Sequence, residues 1–360
     1  MRLGRAALLV VSSAWLWVSG AGAQDVAIRR VTDHAMTLSM SNLGMHTNVT
    51  VIETQKGLVV IETEITPYIM GKIKEAAEKE LGRNDWAYVI NTHGHLHHSR
   101  GNAAFKGVEV IGHESLNMDR LQEALATDRG RRAYCRNVGV TVAIGQLRRT
   151  LARARLTADQ KEELRRRLHF CQAVQQEIMA GFEVVNPTLA FRNRYTLDLG
   201  DIHLHLIYWG DGINHSSIFV HVVEDHTLIG MGMAGSWMPD FYGRPSLDGL
   251  RRAISLWKEL GDENLRIDQM IGVHTPEPIT SREPFRHRQQ YVEALLNDLT
   301  AARQQGLTLE QVRDKLSLEK RYAYVRQYFA RPDDLDARHQ GNIETIWALL
   351  QAEASPPPEN

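Results

Sequence analysis

The sequence predicts an α/β protein, on three observations. Short β-branched and aromatic runs recur in two separate stretches, each leading into a helix. One of these runs, Trp86–Ile90, is followed at once by four histidines within six positions, His93, His95, His97 and His98. Between and after the two strand-rich stretches the composition turns to Arg, Ala, Leu, Gln and Glu, which favour helix.

The elements follow in order. Met36–Ser39, Asn48–Thr54 and Leu58–Glu62 are expected as strands, with Gln55-Lys56-Gly57 as the turn between the last two. A helix starts at Thr66-Pro67, where the threonine suits the cap and the proline the first helical position. Ile69, Ile73, Ala76, Ala77 and Leu81 give it one apolar face, and Gly82 stops it. The Trp86–Ile90 strand, the histidine loop opened by Gly94, and a strand from Val108 to Ile111 ending at His113 come next. Residues 115–184 are expected as a helical insertion, with a capping box from Thr157 to Gln160. Strands resume at Leu189–Phe191, Tyr195–Leu199, His203–Tyr208, Ile218–Val223 and Thr227–Met231. Leu247–Leu260 is a helix, and Gln269–Val273 a short strand ending at His274. From 285 to 354 the chain is expected to be helical, with a second capping box at Thr308–Gln311, before a Pro-rich disordered tail, 355–360.

Residues 1–23 have the pattern of a secretory signal: Arg2 and Arg5, an apolar core from Ala6 to Val18, and the small residues Ala21-Gly22-Ala23 before Gln24. This implies export, to a bacterial periplasm or outside the cell, and no membrane span once the signal is removed. A formal net charge of −1 over 360 residues argues against nucleic acid and anionic membranes as partners and leaves a small-molecule substrate. Cys135 and Cys171 are the two cysteines; an oxidising compartment permits a disulfide, and two buried thiols are the alternative. Neither lies in a C-x-x-C pair. The chain carries no serine-nucleophile motif, no phosphate-cradling glycine loop and no dinucleotide fingerprint.

Neutral imidazole is the commonest protein ligand for zinc, and four rings packed side by side have little purely structural use, since each brings two polar nitrogens that need partners. Strand ends are where α/β proteins collect ligands. Thr92-His93-x-His95-x-x-His98 followed by Gly101-Asn102 resembles the signature of the metallo-β-lactamase superfamily. Gly57-Leu-Val-Val-Ile-Glu62-Thr63 resembles that family's early strand, Gly212-Ile-Asn-His215-Ser-Ser the block carrying its next histidine, and Ile271-Gly-Val-His274 the block carrying its last. The helical insertion and C-terminal segment resemble the exported alkylsulfatase-related branches.

The resemblance implies a four-layer αβ/βα sandwich, with a helical insertion and a helical C-terminal segment and with residues 24–284 as the core domain. It implies one metal site from His93, His95 and His215 and a second from His98 and His274. The expected cofactor is one or two zinc ions; manganese, iron and copper are also compatible. The expected activity is hydrolysis, with hydroxide supplied at the metal attacking an ester, lactone, amide or sulfate-type bond.

Two departures stand out. His97 occupies a position where the family has a metal-binding aspartate, and Met231 the position of its bridging aspartate. Losing two carboxylates removes anionic balance from a two-metal centre. His97 is then a substitute ligand and, with Asp211, a candidate to orient the attacking water. Glu62 stands where the family has an aspartate whose hydrogen bonds brace the histidine loop. The alternative function is a non-catalytic periplasmic zinc or copper binder on the same fold, with Met231 as a thioether ligand.

Overall fold

Two β-sheets lie face to face with helices on both outer surfaces. The computed structural model describes residues 26–40, 46–152, 155–210, 215–230, 238–239, 246–262, 264–329 and 334–354. The leader, Met45, Asp211, Met231 and the tail therefore lie outside the described residues.

The first sheet places β1 (Ala27–Arg30), β2 (Ala35–Ser39), β3 (Val49–Thr54), β4 (Gly57–Ile61), β5 (Trp86–Ile90), β6 (Glu109–His113) and β7 (Leu189–Phe191) in sequence order. The pairs from β1 to β4 are antiparallel and those from β4 to β7 are parallel. The second sheet holds β8 (Arg194–Asp198), β9 (His203–Tyr208), β10 (Ile218–Val222), β11 (Thr227–Gly230) and β12 (Gln269–Gly272), with β11 and β12 parallel and the rest antiparallel. Each parallel step needs a crossover. Helix α1 (Pro67–Leu81) supplies the one between β4 and β5. The one-turn helix α2 (Leu96–Ser99) follows β5, and α3 (Asp119–Leu125), α4 (Asp128–Asn137), α5 (Val140–Leu151) and α6 (Ala158–Ala180) separate β6 from β7. Helix α7 (Leu247–Gly261) joins β11 to β12, and α8 (Glu283–Gln304), α9 (Leu309–Lys315), α10 (Val325–Tyr328) and α11 (Leu335–Ala354) follow.

The three cores follow the layers. Ile52, Val59, Ile61, Ile90 and Ile111 of the first sheet meet Leu204, Leu206, Ile218, Val220 and Ile229 of the second. The first sheet's other face, with Val51, Val60 and Val89, packs against α1 and the helices before β7 through Ile69, Ile73, Phe170 and Val174. The second sheet's other face buries Ile207, Phe219 and Met270 against α7, α8 and the C-terminal helices. Strands covered on both faces read as continuous apolar runs, which is why Gly57–Ile61 lacks alternation. This is the four-layer αβ/βα arrangement with a helical C-terminal segment.

Local chemistry accounts for most boundaries. Thr66 caps α1 by accepting from the Ile69 N–H, Pro67 opens the helix, and Gly82 closes it at φ 64°. Thr157–Gln160 and Thr308–Gln311 both form reciprocal capping boxes. Three differences from expectation have physical causes. Strand β1 is an exposed edge strand with no apolar face to announce it. The histidine loop turns helical at Leu96–Ser99, too short to leave a periodic pattern. The apolar face of α1 turns further than expected: Met70 is buried, whereas Ala76 and Leu81 are half-exposed. The C-terminal segment is helical as expected, in α8 to α11 among the described residues, with α9 starting at the Thr308–Gln311 box. Cys135 and Cys171 are buried free thiols. Among the described residues no helix is long and apolar enough to cross a membrane.

Gly101 marks the tightest contact between the histidine turn and α1. A Cβ there would sit 1.9 Å from the Thr63 carbonyl oxygen and 2.6 Å from Met70 Cβ. Backbone on one side and a buried side chain on the other leave no room to yield. Gly101→Ala is expected to cost about 1–3 kcal/mol or more, read as a lowered urea midpoint with unchanged slope; an unaltered midpoint would mean that the turn is not packed this way.

Candidate metal centre

The site forms where β4 and β5 end side by side. Past Ile61 the chain enters the left-handed region twice, at Glu62 (φ 75°) and Glu64 (φ 60°), with Thr63 between them. Each such non-glycine residue costs about 1–3 kcal/mol unless its surroundings hold it there. Here they do. The Glu62 N–H donates to the Ile90 carbonyl at 3.0 Å, the Thr63 N–H to the His98 carbonyl at 3.0 Å, and the Arg100 N–H to the Glu64 carbonyl at 3.1 Å. The Thr63 hydroxyl donates to Asn102 Oδ1 at 2.6 Å, and the Asn91 and Asn102 amides bond each other at 2.8 and 3.0 Å. Arg100 closes the turn from beneath through the Gly94 carbonyl (2.8 Å) and the Ser99 hydroxyl (2.8 Å). The second sheet is tied in as the Ile218 N–H donates to the Thr92 carbonyl at 2.8 Å and the Gly94 N–H to the Ser216 hydroxyl at 3.1 Å.

These ties gather five imidazoles. Ring centroids lie 4.8 Å apart for His93–His95, 4.2 Å for His93–His98, 6.2 Å for His97–His98, 6.4 Å for His97–His274 and 4.8 Å for His98–His274. His93 and His98 are fully buried, while His95, His97 and His274 are more open. His274 is aimed by its neighbour across the sheets. Its Nδ1 donates to the His46 carbonyl at 2.8 Å, and its Nε2 faces His98 Nε2 at 3.2 Å. Asn48 holds this corner, donating to the Gly272 and Thr275 carbonyls at 2.7 and 2.6 Å.

Burial makes the cluster neutral. It drives His93 and His98 well below the usual histidine range and lowers His95 and His274; neighbouring basic groups add to the effect, and for His274 the hydrogen bond to the His46 carbonyl opposes it. His97 falls to about 4 for the same first reason. Neutral imidazoles with free lone pairs are what metal binding requires. Burial pushes the Glu62 carboxyl up to about 8, against the hydrogen bonds from Thr92. A bound cation acts in the opposite direction on such a carboxyl.

The donor set fits a metal. Among the described residues, Glu62, His93 and His98 form the group whose donor atoms all lie within 4.8 Å of one another. Glu62 Oε2 and His98 Nδ1 form a buried carboxyl–imidazole pair at 2.7 Å, and His93 Nε2 beside them is buried with no hydrogen-bond partner. Buried polar atoms rarely stay unpaired without reason. His95 and His215 stand outside this compact group. His215 lies exposed in the turn before β10, where its carbonyl accepts from the Ser115 hydroxyl.

Other histidines have structural partners. His113 stacks on Tyr208 at 3.7 Å and bonds Ser115 and the Arg192 carbonyl. His203 pairs with Glu224 at 2.7 Å on the surface. His46 bonds Asn48 through its ring and orients His274 through its carbonyl. Reasoning from sequence passed over Asn48, Asn91, Asn102 and Arg100, whose roles depend on contacts across the sheets; only the Gly101-Asn102 pair was visible as part of a motif.

A family profile described as the metallo-beta-lactamase superfamily matches residues 43–119, which contain the histidine turn. No curated protein matches the chain by sequence. The stereoselective inverting sec-alkylsulfatase from Pseudomonas sp. superposes with a TM-score of 0.55 at 14% identity, covering 92% of this chain and 52% of that one. A double mutant of that sec-alkyl sulfatase gives 0.53 at 15% identity with the same coverages. The chain thus spans about half the length of these sulfatase structures. A metallo-beta-lactamase from Pontibacter korlensis gives 0.48 at 12% identity, covering 75% of this chain and 99% of that one. The two-sheet sandwich with its histidine turn at the end of β5 is thus similar to the metallo-beta-lactamase fold, and that superfamily's profile matches over the turn.

Proposed function

We propose that this protein is a metal-dependent hydrolase, taking zinc first among divalent ions and acting on a small molecule with an ester, lactone, amide or sulfate-type bond. The observation that carries this is the cluster of five neutral imidazoles, with the buried and unpartnered His93 Nε2 among them and the Glu62 carboxyl paired to His98 at its edge. A divalent ion held there supplies Lewis acidity and makes hydroxide available near neutral pH. The chain's own residues set the rest. The Thr63–His98 and Glu64–Arg100 backbone pairs fix the turn against the strand end, so the donors need little rearrangement on binding. His97 borders the group on its more open side and, with its basicity depressed, serves as a lone-pair donor or hydrogen-bond acceptor rather than as an acid. Asp211, outside the described residues, is proposed to help orient the attacking water. The leader at residues 1–23 supports export to the periplasm or the medium.

The test is metal content together with turnover. Protein purified without added metal or affinity-tag histidines is expected to retain zinc and to hydrolyse members of a panel of simple esters, lactones and sulfate esters. His93→Ala and His98→Ala are each expected to lose the metal and to bring hydrolysis down to background. Tight copper binding without turnover would instead make the protein a metal binder, and no retained metal of any kind would sink the hydrolase reading.

A further inference from the structure

We propose that His205 and His221 form a second metal site, apart from the histidine turn, in which two imidazoles chelate a divalent transition-metal ion, copper(II) most strongly. The inference stands independently of the hydrolase reading.

The two residues face each other across β9 and β10. They are direct partners in the antiparallel register, a placement that sets opposite Cβ atoms about 4.5–5.5 Å apart. Both lie on the outer face of the second sheet, since their neighbours Leu204, Leu206, Val220 and Val222 point the other way, into the core between the sheets. The Tyr208–Ile218 pair of the same two strands lies beside the histidine turn, where the Ile218 N–H meets the Thr92 carbonyl. His205 and His221 are three residues farther along, about 10 Å. Their ring centroids are 6.0 Å apart at an interplanar angle of 65°. With metal–nitrogen bonds of about 2.0–2.1 Å, an ion lies roughly 3 Å from each ring centre, so one ion spans rings up to roughly 6 Å apart. The pair matches that span before either ring rotates.

The protons leave a lone pair available. His221 Nε2 donates to the Arg266 carbonyl at 3.3 Å, an acceptor only, so this nitrogen carries the hydrogen. Burial favours the neutral ring, and Nδ1 is then bare. The two nitrogens of an imidazole diverge, so with Nε2 aimed at the chain entering β12, Nδ1 is turned toward β9 and His205. A backbone carbonyl holding the second nitrogen is how ligand histidines are commonly oriented. His205 is exposed and makes no hydrogen bond among the described residues, so its ring can turn to an ion without breaking one.

The neighbouring histidines are otherwise engaged. His34 pairs with Asp225, His203 with Glu224 and His226 with Asp268. His205 and His221 are the two at this end of the sheet whose rings contact no carboxylate among the described residues, while those three carboxylates supply negative charge around them. The pair belongs to no compact group of three or more donors among the described residues, so water fills the remaining positions. Imidazole sites of this kind follow the order in which copper(II) leads nickel and zinc.

The test titrates copper(II) into untagged protein already supplied with zinc and reads bound copper by electron paramagnetic resonance. His203→Ala, the next histidine on the same face of β9, is expected to take up the same copper as wild type with unchanged affinity. His205→Ala is expected to hold one copper at least about 10-fold more weakly, the lower end of what even a residue that only orients a ligand contributes. His93→Ala, which removes a ring of the histidine turn, is expected to keep this copper, so the site and the hydrolase reading stand or fall separately. Equal copper binding by wild type and His205→Ala overturns the proposal. So does an equal loss in His203→Ala, which marks adventitious binding to surface histidines, and so does loss of this copper in His93→Ala. Because His205 is exposed on a strand, its variant leaves the core intact and keeps the comparison decisive.

Discussion

The backbone pairing between the end of β4 and the histidine turn is the constraint on which the rest depends. Thr63 N–H to the His98 carbonyl and Arg100 N–H to the Glu64 carbonyl extend the pairing beyond the β4–β5 ladder, after β5 has ended. To do so, Glu62 and Glu64 adopt positive φ. That strain is offset by the buried bonds from Thr63 to Asn102 and between the Asn91 and Asn102 amides. Removing one partner from such a buried pair leaves the other unsatisfied, at about 1–3 kcal/mol each. The turn is therefore rigid for reasons unrelated to any metal, and its imidazoles are presented in place rather than gathered by an ion.

From this rigidity follows the electrostatic character of the site. Five rings and the Arg100 guanidinium share a pocket into which the Glu62 carboxyl is pressed. Burial favours neutral forms throughout, lowering the histidines and raising the carboxyl. Neutral imidazoles beside a buried carboxyl make a cluster complementary to a small cation. The second sheet contributes by orienting His274 through the His46 carbonyl and by tying the Gly94 end of the turn to Ser216. Farther out, the C-terminal helices reach back to the sandwich, with Asn342 donating to the Pro239 carbonyl at 2.8 Å and to the Tyr291 hydroxyl at 3.1 Å.

Much of this was legible in the sequence because it is encoded locally. The caps at Thr66, Thr157 and Thr308 appear where residue chemistry places them. The strands of both sheets are legible from β-branched runs, and the histidine turn from its spacing. What was hidden depends on contacts between distant residues. Strand β1 takes its register from β2 rather than from an apolar pattern of its own. Glu62 reads as a modest change from aspartate, and its 2.7 Å pairing with His98, 36 positions along the chain, is visible only in the structure. The family resemblance assigns His215 to the same metal as His93, and among the described residues the most compact donor group is Glu62, His93 and His98. The notable substitutions at 97 and 231 were visible, but their consequence, a need for negative charge from elsewhere, is a question of geometry.

The most direct measurement is anomalous diffraction from crystals of the metal-loaded protein, recorded on both sides of the metal's absorption edge. The account expects a peak within bonding distance of ring nitrogens of the histidine turn, His93 to His98. No peak at that turn, on either side of the edge, would contradict it.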